Sequence, residues 1–303
     1  MKNKVILFLI LSQFFASIPL FSQNLEDILN ELTDSNEIQL TEATFKAVKI
    51  INGQSIETPG KNEMVFSISH RFGMINSGIY DFFGLDETAN IRFAFDYGLS
   101  DKLAIGIGRS KYEKAYDTYI KYKIIAQQTG IKNRPFTLSV FASTNINTFN
   151  YTYPDIKNTY TRKLVYTAEL LIARKFSDNF SVQITPGIIH RNIVKLPGEP
   201  NDMYYTGIGA RFKLTARLSL NAEYFYRYNH QFSNNMQDMA AIGIDIETGG
   251  HVFQIMVTNS AGLTEQAFIT QTPNKLTDGD LMLGFNISRI FAFNKQESNY
   301  NQE

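Results

Sequence analysis

The fold of this chain is decided by the run Ile91-Arg-Phe-Ala-Phe-Asp-Tyr-Gly-Leu99, a turn at 100–102 and the run Leu103-Ala-Ile-Gly-Ile-Gly-Arg109. In both runs, large apolar residues take every second position, and mostly small or charged residues take the positions between them. A period of two residues indicates β-strands that are apolar on one face. The short polar connection between the runs predicts that the two strands are antiparallel neighbours.

The same alternation continues from residue 63 to residue 293. It predicts about twelve strands, the even number expected of a closed single-chain barrel. The predicted strands are 64–72, 90–98, 103–109, 117–126, 136–148, 163–176, 180–191, 203–212, 218–228, 240–248, 251–260 and 280–291.

The connections between these strands alternate in length. Short ones lie at 99–102, 177–179, 213–217 and 249–250, with a medium one at 127–134; long ones lie at 73–89, 110–116, 150–162, 192–202, 229–239 and 261–279. Outer-membrane barrels have short periplasmic turns and long outer loops. The sequence therefore predicts an all-β, transmembrane up-and-down antiparallel β-barrel in the outer membrane of a Gram-negative cell, with both barrel termini periplasmic.

The two faces of the predicted strands differ in kind. The apolar face is predicted to contact lipid, in a belt formed by Phe66, Ile68, Phe93, Phe95, Val182, Ile184, Ile242, Ile244, Phe285 and Ile287. The small and polar face is predicted to line the lumen, with charges at Arg71, Arg92, Asp96, Glu169, Arg211, Glu223, Arg227, Asp245 and Glu247. Mutual pairing across a narrow lumen is the favoured interpretation, because buried charges need partners. A constriction that selects a solute is the alternative.

Glycines and tyrosines add two local expectations. Gly106, Gly108, Gly207 and Gly209 lie within predicted strands, where a small inward residue lets a neighbouring side chain or the N-terminal segment approach closely. Tyrosines near strand ends are predicted to form an aromatic girdle. They are Tyr112, Tyr116, Tyr119, Tyr151, Tyr153, Tyr160, Tyr204, Tyr205, Tyr224, Tyr226 and Tyr228.

The N-terminal part of the chain is predicted to lie outside the barrel wall. Lys2 and Lys4 precede an apolar run at 5–21, and a polar break follows, which predicts a signal peptide over 1–23. Residues 24–62 form a lead segment, with a short helix at 24–36 and an Asn52-Gly53 turn signal. We expect this segment to be either a periplasmic arm or a plug in the lumen. The barrel takes 63–293, and 294–303 is a polar tail.

Composition narrows the possible functions. Lysine and arginine number 29 and aspartate and glutamate number 29, so the net charge is zero and nothing favours nucleic acid as a partner. There is no cysteine, and the four histidines lie at no metal-ligand spacing from one another, so no metal or cofactor is predicted.

A catalytic site is not predicted either. Ser69 and His70 are adjacent and point to opposite faces of a strand, while Ser288 and Asn286 share a face without an evident histidine. The chain is therefore predicted not to be an enzyme, with a membrane-embedded hydrolase as a remote alternative.

Several longer motifs carry a family resemblance. They include Phe66-Ser-Ile-Ser-His-Arg-Phe-Gly73, Asp81-Phe-Phe-Gly-Leu-Asp86, Pro197-Gly-Glu-Pro-Asn-Asp202 and Gly284-Phe-Asn-Ile-Ser-Arg289. In these motifs the chain resembles a family of membrane-bound β-barrel domains of unknown function. The resemblance spans nearly the whole mature chain, and it implies a barrel but no particular activity.

The leading functional hypothesis is a pore or channel for a small solute, with the lumen charges setting selectivity. The alternative is a non-transporting barrel that serves as a structural or docking partner for periplasmic proteins. The expected partners are the lipid bilayer, the outer-membrane insertion machinery, and either a small solute or a periplasmic protein.

Overall fold

The computed structural model describes residues 38–130, 132–149, 159–194, 199–228 and 236–293. The predicted signal peptide (1–23), the predicted short helix (24–36) and the C-terminal tail (294–303) lie outside the described residues, as does His230.

Within these ranges, twelve strands close into one antiparallel barrel, which confirms the predicted fold. Each barrel strand pairs with the next one along the chain, and the first, β2, pairs with the last, β14. The barrel strands are β2 (Glu63–Met74), β3 (Asn90–Ser100), β4 (Leu103–Ser110), β5 (Tyr116–Ile125), β7 (Thr137–Ile146), β8 (Leu164–Lys175), β9 (Phe180–Arg191), β10 (Asp202–Lys213), β11 (Leu218–Arg227), β12 (Met239–Thr248), β13 (His251–Thr258) and β14 (Met282–Ala292). Every predicted strand end falls within two residues of the observed end.

Alternation along each strand separates the inside of the barrel from its outside. In β3, Phe93 and Phe95 are exposed on the outer face, while Arg92, Ala94 and Asp96 are buried inside. The outer face therefore carries apolar side chains and the inner face carries polar ones, which is the arrangement of an outer-membrane-type barrel.

The two ends of the barrel differ in their connections. We call the end where residues 101–102, 176–179, 214–217 and 249–250 join successive strands the turn end, and the opposite end the loop end. At the tightest of these turns, Gly249 and Gly250 have φ values of 27° and 92°. A two-residue hairpin turn of type I′ needs positive φ at both positions, so glycine suits both.

An N-terminal hairpin, residues 43–60, fills part of the barrel. Before it, β1 (Gln39–Leu40) pairs with the short strand β6 (Gln128–Thr129) at the turn end. The chain then enters the barrel and reverses direction where the N–H of Ile50 donates to the carbonyl of Gly53 at 2.9 Å. Residues 50–56 are buried, and the chain leaves the barrel again before β2 begins. The Asn52-Gly53 turn signal thus marks the tip of this hairpin.

A second segment, which we call the inner loop (residues 260–272), folds into the barrel from the loop end. It contains the helix α1 (Glu265–Thr270), all six residues of which are buried. The sequence predicts only a long outer loop at 261–279, because six residues are too few to show a helical period. None of the helices in the described ranges is long and apolar enough to cross a membrane.

Two of the tyrosines expected in the girdle are instead interior. Tyr119 is 6% exposed and Tyr205 is 1% exposed. Both lie at inward positions of their strands, where each phenol hydroxyl donates a hydrogen bond to a carboxylate inside the barrel. The alternation of inward and outward positions therefore predicts where a tyrosine lies better than its distance from a strand end does.

Candidate functional site

The interior of the barrel, where the wall meets the hairpin, is the candidate functional site. The nine predicted lumen charges all lie on inward positions, and all except Glu247 are buried. Two further buried charges on β5, Asp117 and Lys121, escaped the sequence analysis. They share the inward register of Tyr119, so the alternation of β5 could have revealed them.

Glu223 on β11 holds the tip of the hairpin. Its carboxylate accepts hydrogen bonds from three consecutive backbone N–H groups, at 3.2 Å from Ile51, 2.7 Å from Asn52 and 3.2 Å from Gly53. Successive N–H groups that converge on one anion form a nest, which is an effective way to bind a carboxylate. The buried charge of Glu223 is thereby satisfied by hydrogen bonds from the hairpin backbone.

Lys121 holds the two arms of the hairpin together. Its ammonium donates to the carbonyls of Val48 at 3.3 Å, Ser55 at 2.9 Å and Glu57 at 3.1 Å. An ammonium group has three N–H donors, so these carbonyls take all of them.

Amide side chains from three other strands also donate to hairpin carbonyls. Gln254 donates to Ile50 at 2.7 Å, and Asn286 donates to Ile51 at 2.9 Å. Gln183 donates to the carbonyl of Gln54 at 2.7 Å. The wall therefore contacts the hairpin mainly through the backbone of the hairpin.

Close approach of the hairpin to the wall depends on glycine. A Cβ atom at Gly209 would lie 2.4 Å from Cδ1 of Ile50, and one at Gly98 would lie 2.0 Å from the carbonyl oxygen of Gly60. The expectation that inward glycines make room for the N-terminal segment is met at Gly209, and Gly98, which the sequence analysis did not name, has the same role. Gly106 and Gly207 instead make room for the wall residues Tyr119 and Phe225.

The hairpin and the inner loop meet inside the barrel. Gln54 donates to the carboxylate of Glu265 at 3.0 Å, and Lys49 donates to the carbonyl of Leu263 at 3.1 Å. The ammonium of Lys49 also lies 4.0 Å from the Glu265 carboxylate. Burial lowers the pKa of Lys49, and the charge of Glu265 opposes that shift. Segments that enter from opposite ends of the barrel are thus joined at this junction.

The remaining predicted charges have partners outside the predicted set. Arg92 makes a two-point ion pair with Asp117 at 2.5 and 3.0 Å. The other contacts are Asp96 with Tyr119 (2.7 Å), Glu169 with Tyr205 (2.6 Å), Arg71 with Asn52 (2.7 Å) and Asn286 (3.0 Å), Asp245 with Gln254 (2.9 Å), Arg211 with Ser219 (3.1 Å), Arg227 with Asp238 (3.4 Å) and Glu247 with Lys46 (2.7 Å). Two of these contacts, Arg71 with Asn52 and Glu247 with Lys46, join the wall to the hairpin, and the others join residues of the wall and its loops.

The predicted lipid belt lies on the opposite face of the strands. Phe93, Phe95, Ile184, Ile242 and Ile244 are exposed by more than two-fifths, and the remaining belt residues are partly exposed. These exposed apolar side chains are placed to contact acyl chains.

A cavity of about 620 Å³ opens between the hairpin and β2, β12, β13 and β14 at the turn end. Charged side chains on its lining include Glu42, Lys46, Glu57 and Glu247. It forms a polar vestibule beside the hairpin.

The three histidines in the described ranges lie apart from one another. No group of three histidine, aspartate or glutamate side chains in the described ranges could hold a metal ion. His70 stacks on Phe285 on the outer face, and His190 pairs with Asp202 at 2.6 Å at an exposed edge. Asn286, considered above for catalysis, uses its amide to hold the hairpin.

A family model described as a membrane-bound beta barrel domain of unknown function matches residues 45–291. The chain belongs to this family. In this membrane-bound barrel domain the matched region begins inside the hairpin, so most of the hairpin is part of the family domain and is not an appendage to it.

Solved porin structures resemble this barrel domain at low sequence identity. The NanC porin is 8% identical, with 75% of this chain and 98% of the porin covered and a TM-score of 0.48. The KdgM porin is 8% identical (77% and 99% covered, TM-score 0.44), and an outer membrane channel from Pseudomonas putida F1 is 11% identical (78% and 97% covered, TM-score 0.46). No curated protein matches the sequence. The barrel assignment rests on the strand pairing and the family match.

Proposed function

We propose that this barrel is a gated channel for small polar solutes in the outer membrane of a Gram-negative cell, and that the N-terminal hairpin is its gate. The observation that carries the proposal is the polarity of the contact between wall and hairpin. Glu223, Lys121, Gln254, Asn286 and Gln183 all bond the hairpin backbone.

A polar contact of this kind suits reversible opening. When the hairpin withdraws, wall and hairpin can both exchange their mutual hydrogen bonds for bonds to water, so the net cost of each bond is only about 0.5–1.5 kcal/mol. Withdrawal also exposes the buried apolar side chains Phe45, Ile50, Ile51 and Ile56 of the hairpin, which favours the closed state. The lumen that the hairpin uncovers is polar, as the interior of a conducting barrel is.

The side of the membrane from which the hairpin enters the barrel follows from the position of the turn end. Short turns are periplasmic in barrels of this type, so the turn end and both barrel termini are assigned to the periplasm. The hairpin then enters from the periplasm, through the vestibule lined by Glu57 and Glu247. We expect the outer-membrane insertion machinery to place the barrel in this orientation.

A docking role for the N-terminal segment is the second candidate. At the turn end, Ile38 is 54% exposed and Leu40 is 60% exposed. These apolar side chains project beside the paired strands β1 and β6, where a periplasmic protein could contact them. In that case residues 24–42 would be the docking arm and the hairpin a permanent filler.

The two candidates are separated by current recordings from the refolded full-length barrel in planar bilayers. A gated channel gives discrete openings that become more frequent when contacts between wall and hairpin are weakened. Barrels that stay folded, with heat-modifiable gel mobility, and that remain silent after the same changes contradict the channel and favour the docking role.

A further inference from the structure

We propose that the inner wall of the barrel is a peptide-binding site, which the hairpin occupies in cis, and that the solute the channel admits is a short peptide. This proposal rests on the gated-channel function proposed above. It names the chemical class of the solute, which nothing in the family match supplies.

Side chains of the wall contact the hairpin mainly through hydrogen bonds to the hairpin backbone. Between residues 48 and 57, six hairpin carbonyls accept hydrogen bonds from wall side chains: those of Val48, Ile50, Ile51, Gln54, Ser55 and Glu57. Three hairpin N–H groups donate to Glu223. The wall thus contacts nine backbone groups within ten residues. Every non-proline residue has the same backbone donor and acceptor, so such contacts can bind a polypeptide whatever its sequence.

The side chains that make these contacts form a built site. Lys121, Gln183, Gln254, Asn286 and Glu223 are between 0% and 5% exposed, and they come from five different strands. If the hairpin only filled the barrel, apolar side chains of the wall could pack against it instead. Burying five polar side chains is costly unless each has a bonding partner, and the peptide groups of the hairpin provide those partners.

The wall also has acceptors that the hairpin leaves unused. Oε1 of Gln183, Oδ1 of Asn221 and Oε2 of Glu169 are buried and have no hydrogen-bond partner within the described part of the chain. The side chains that carry them are 1%, 1% and 4% exposed. Spare buried acceptors are placed to receive the N–H groups, or the ammonium terminus, of a peptide that follows a different path from the hairpin.

Apolar contacts indicate which side chains such a peptide would carry. Ile50 and Ile51 of the hairpin are buried, and Ile50 packs onto the bare backbone of Gly209. At the tip, Gly53 lies against the ring of Phe225. We therefore expect a preference for peptides with branched aliphatic residues and a glycine two positions after them, as in Ile51 and Gly53.

The test uses the full-length chain with Gly53→Val, which weakens the hairpin and leaves the wall unchanged. A Cβ atom at this position would lie 2.5 Å from Cζ of Phe225, so valine forces the tip away from its seat. The probe is a fluorescein-labelled peptide with the sequence of residues 48–57, titrated by fluorescence anisotropy in detergent. Gly98→Ala, which displaces the hairpin at Gly60, is the second variant if Gly53→Val does not fold.

The matched control is the same peptide N-methylated at the positions of Ile51 and Asn52, which keeps every side chain and removes two N–H donors. We expect the methylated peptide to bind at least about ten-fold more weakly, because it loses hydrogen bonds to a charged group. Adding Glu223→Gln to the Gly53→Val chain should weaken binding of the unmethylated peptide in the same way.

Equal binding of the two peptides, or no binding of either to a folded Gly53→Val barrel, overturns the peptide site. Current recordings on the same variant separate this result from the channel hypothesis. A conducting barrel that binds no peptide refutes the peptide site and leaves the channel intact. A silent barrel that binds the unmethylated peptide selectively supports the site and refutes the channel.

Discussion

The backbone N–H of Asn52 donates a 2.7 Å hydrogen bond to the carboxylate of Glu223, which lies 171 residues further along the chain. The neighbouring N–H groups of Ile51 and Gly53 converge on the same carboxylate. This contact fixes the tip of the hairpin to β11. If this contact were lost while the hairpin stayed in place, the three N–H groups and the Glu223 carboxylate would be buried without hydrogen bonds to one another.

Glu223→Gln should increase the open probability of the channel on the order of ten-fold. The substitution keeps the shape and one acceptor oxygen but removes the charge, and hydrogen bonds to charged groups contribute about 1.5–3 kcal/mol. Single-channel recording in planar bilayers measures the effect. Glu169→Gln is the control, because the Glu169 carboxylate is equally buried and bonds Tyr205 on the wall. An unchanged open probability for Glu223→Gln would show that this contact does not hold the gate.

Gly98→Ala should open the channel by a steric route. The new methyl group would lie 2.0 Å from the carbonyl oxygen of Gly60, and backbone cannot rotate away as a side chain can. Overpacking of this kind costs about 1–3 kcal/mol, which would raise the equilibrium constant for hairpin opening by roughly five- to one-hundred-fold. The measurement is the cleavage rate of the hairpin by an added protease, with Gly106→Ala as the control since its neighbours are wall side chains. Equal cleavage in both variants would contradict the prediction.

Arg92→Leu should destabilise the barrel itself and leave the hairpin in place. Arg92 pairs with Asp117 inside the wall, and removing one partner leaves a buried charge uncompensated, at a cost of about 3–5 kcal/mol. Urea titrations followed by gel mobility measure the loss. The double variant Arg92→Leu/Asp117→Leu should recover most of the stability, because two apolar side chains replace the pair. A double variant less stable than the single one would refute this explanation.

The strand order and the barrel follow from sequence because the period of two is a local property. Each run of alternating residues, such as 91–99, reports its own two faces without information from elsewhere. Connection length is local too, so the two ends of the barrel can be distinguished. Inward charges such as Arg71 and Glu223 could therefore be named, since each lies at a definite position in the alternation.

The partners of those charges could not be predicted, because alternation specifies a face and not a contact. Glu223 bonds residues 170–172 positions away, and no local pattern joins them. The inner loop is the clearest case. Glu265 lies in a six-residue helix, too short for a periodic signal, and its contacts with Lys49 and Gln54 exist only after the barrel has closed around both segments.

Raising the pH should favour the closed channel, through Lys49. Burial lowers the pKa of Lys49 below its ordinary value of 10.5, although Glu265, Asp117 and Asp96 oppose the shift that Arg92 reinforces. Between the lowered pKa and 10.5, the undocked hairpin binds more protons than the docked one, so docking becomes more stable as pH rises.

Open probability, recorded as pH is raised towards 10.5, should therefore decline, and part of that decline should disappear in Lys49→Met. Lys46→Met is the matched control, because Lys46 lies on the same segment and pairs with Glu247 in the vestibule. Identical pH profiles for the two variants would exclude Lys49 as the source.

The central claim, that the hairpin is a movable gate, is tested most directly by tying it to the wall. A Cβ atom at Gly209 would lie 3.6 Å from both Cγ1 and Cγ2 of Ile50, the positions that the sulfur of a cysteine at residue 50 can take, so the two residues are close enough for a disulfide. The chain has no cysteine, so Ile50→Cys/Gly209→Cys in the Glu223→Gln background introduces one defined pair. We predict no current while the disulfide is oxidised, openings after reduction, and no redox effect in either single-cysteine variant. Equal currents from the oxidised and reduced barrels would contradict a hairpin gate.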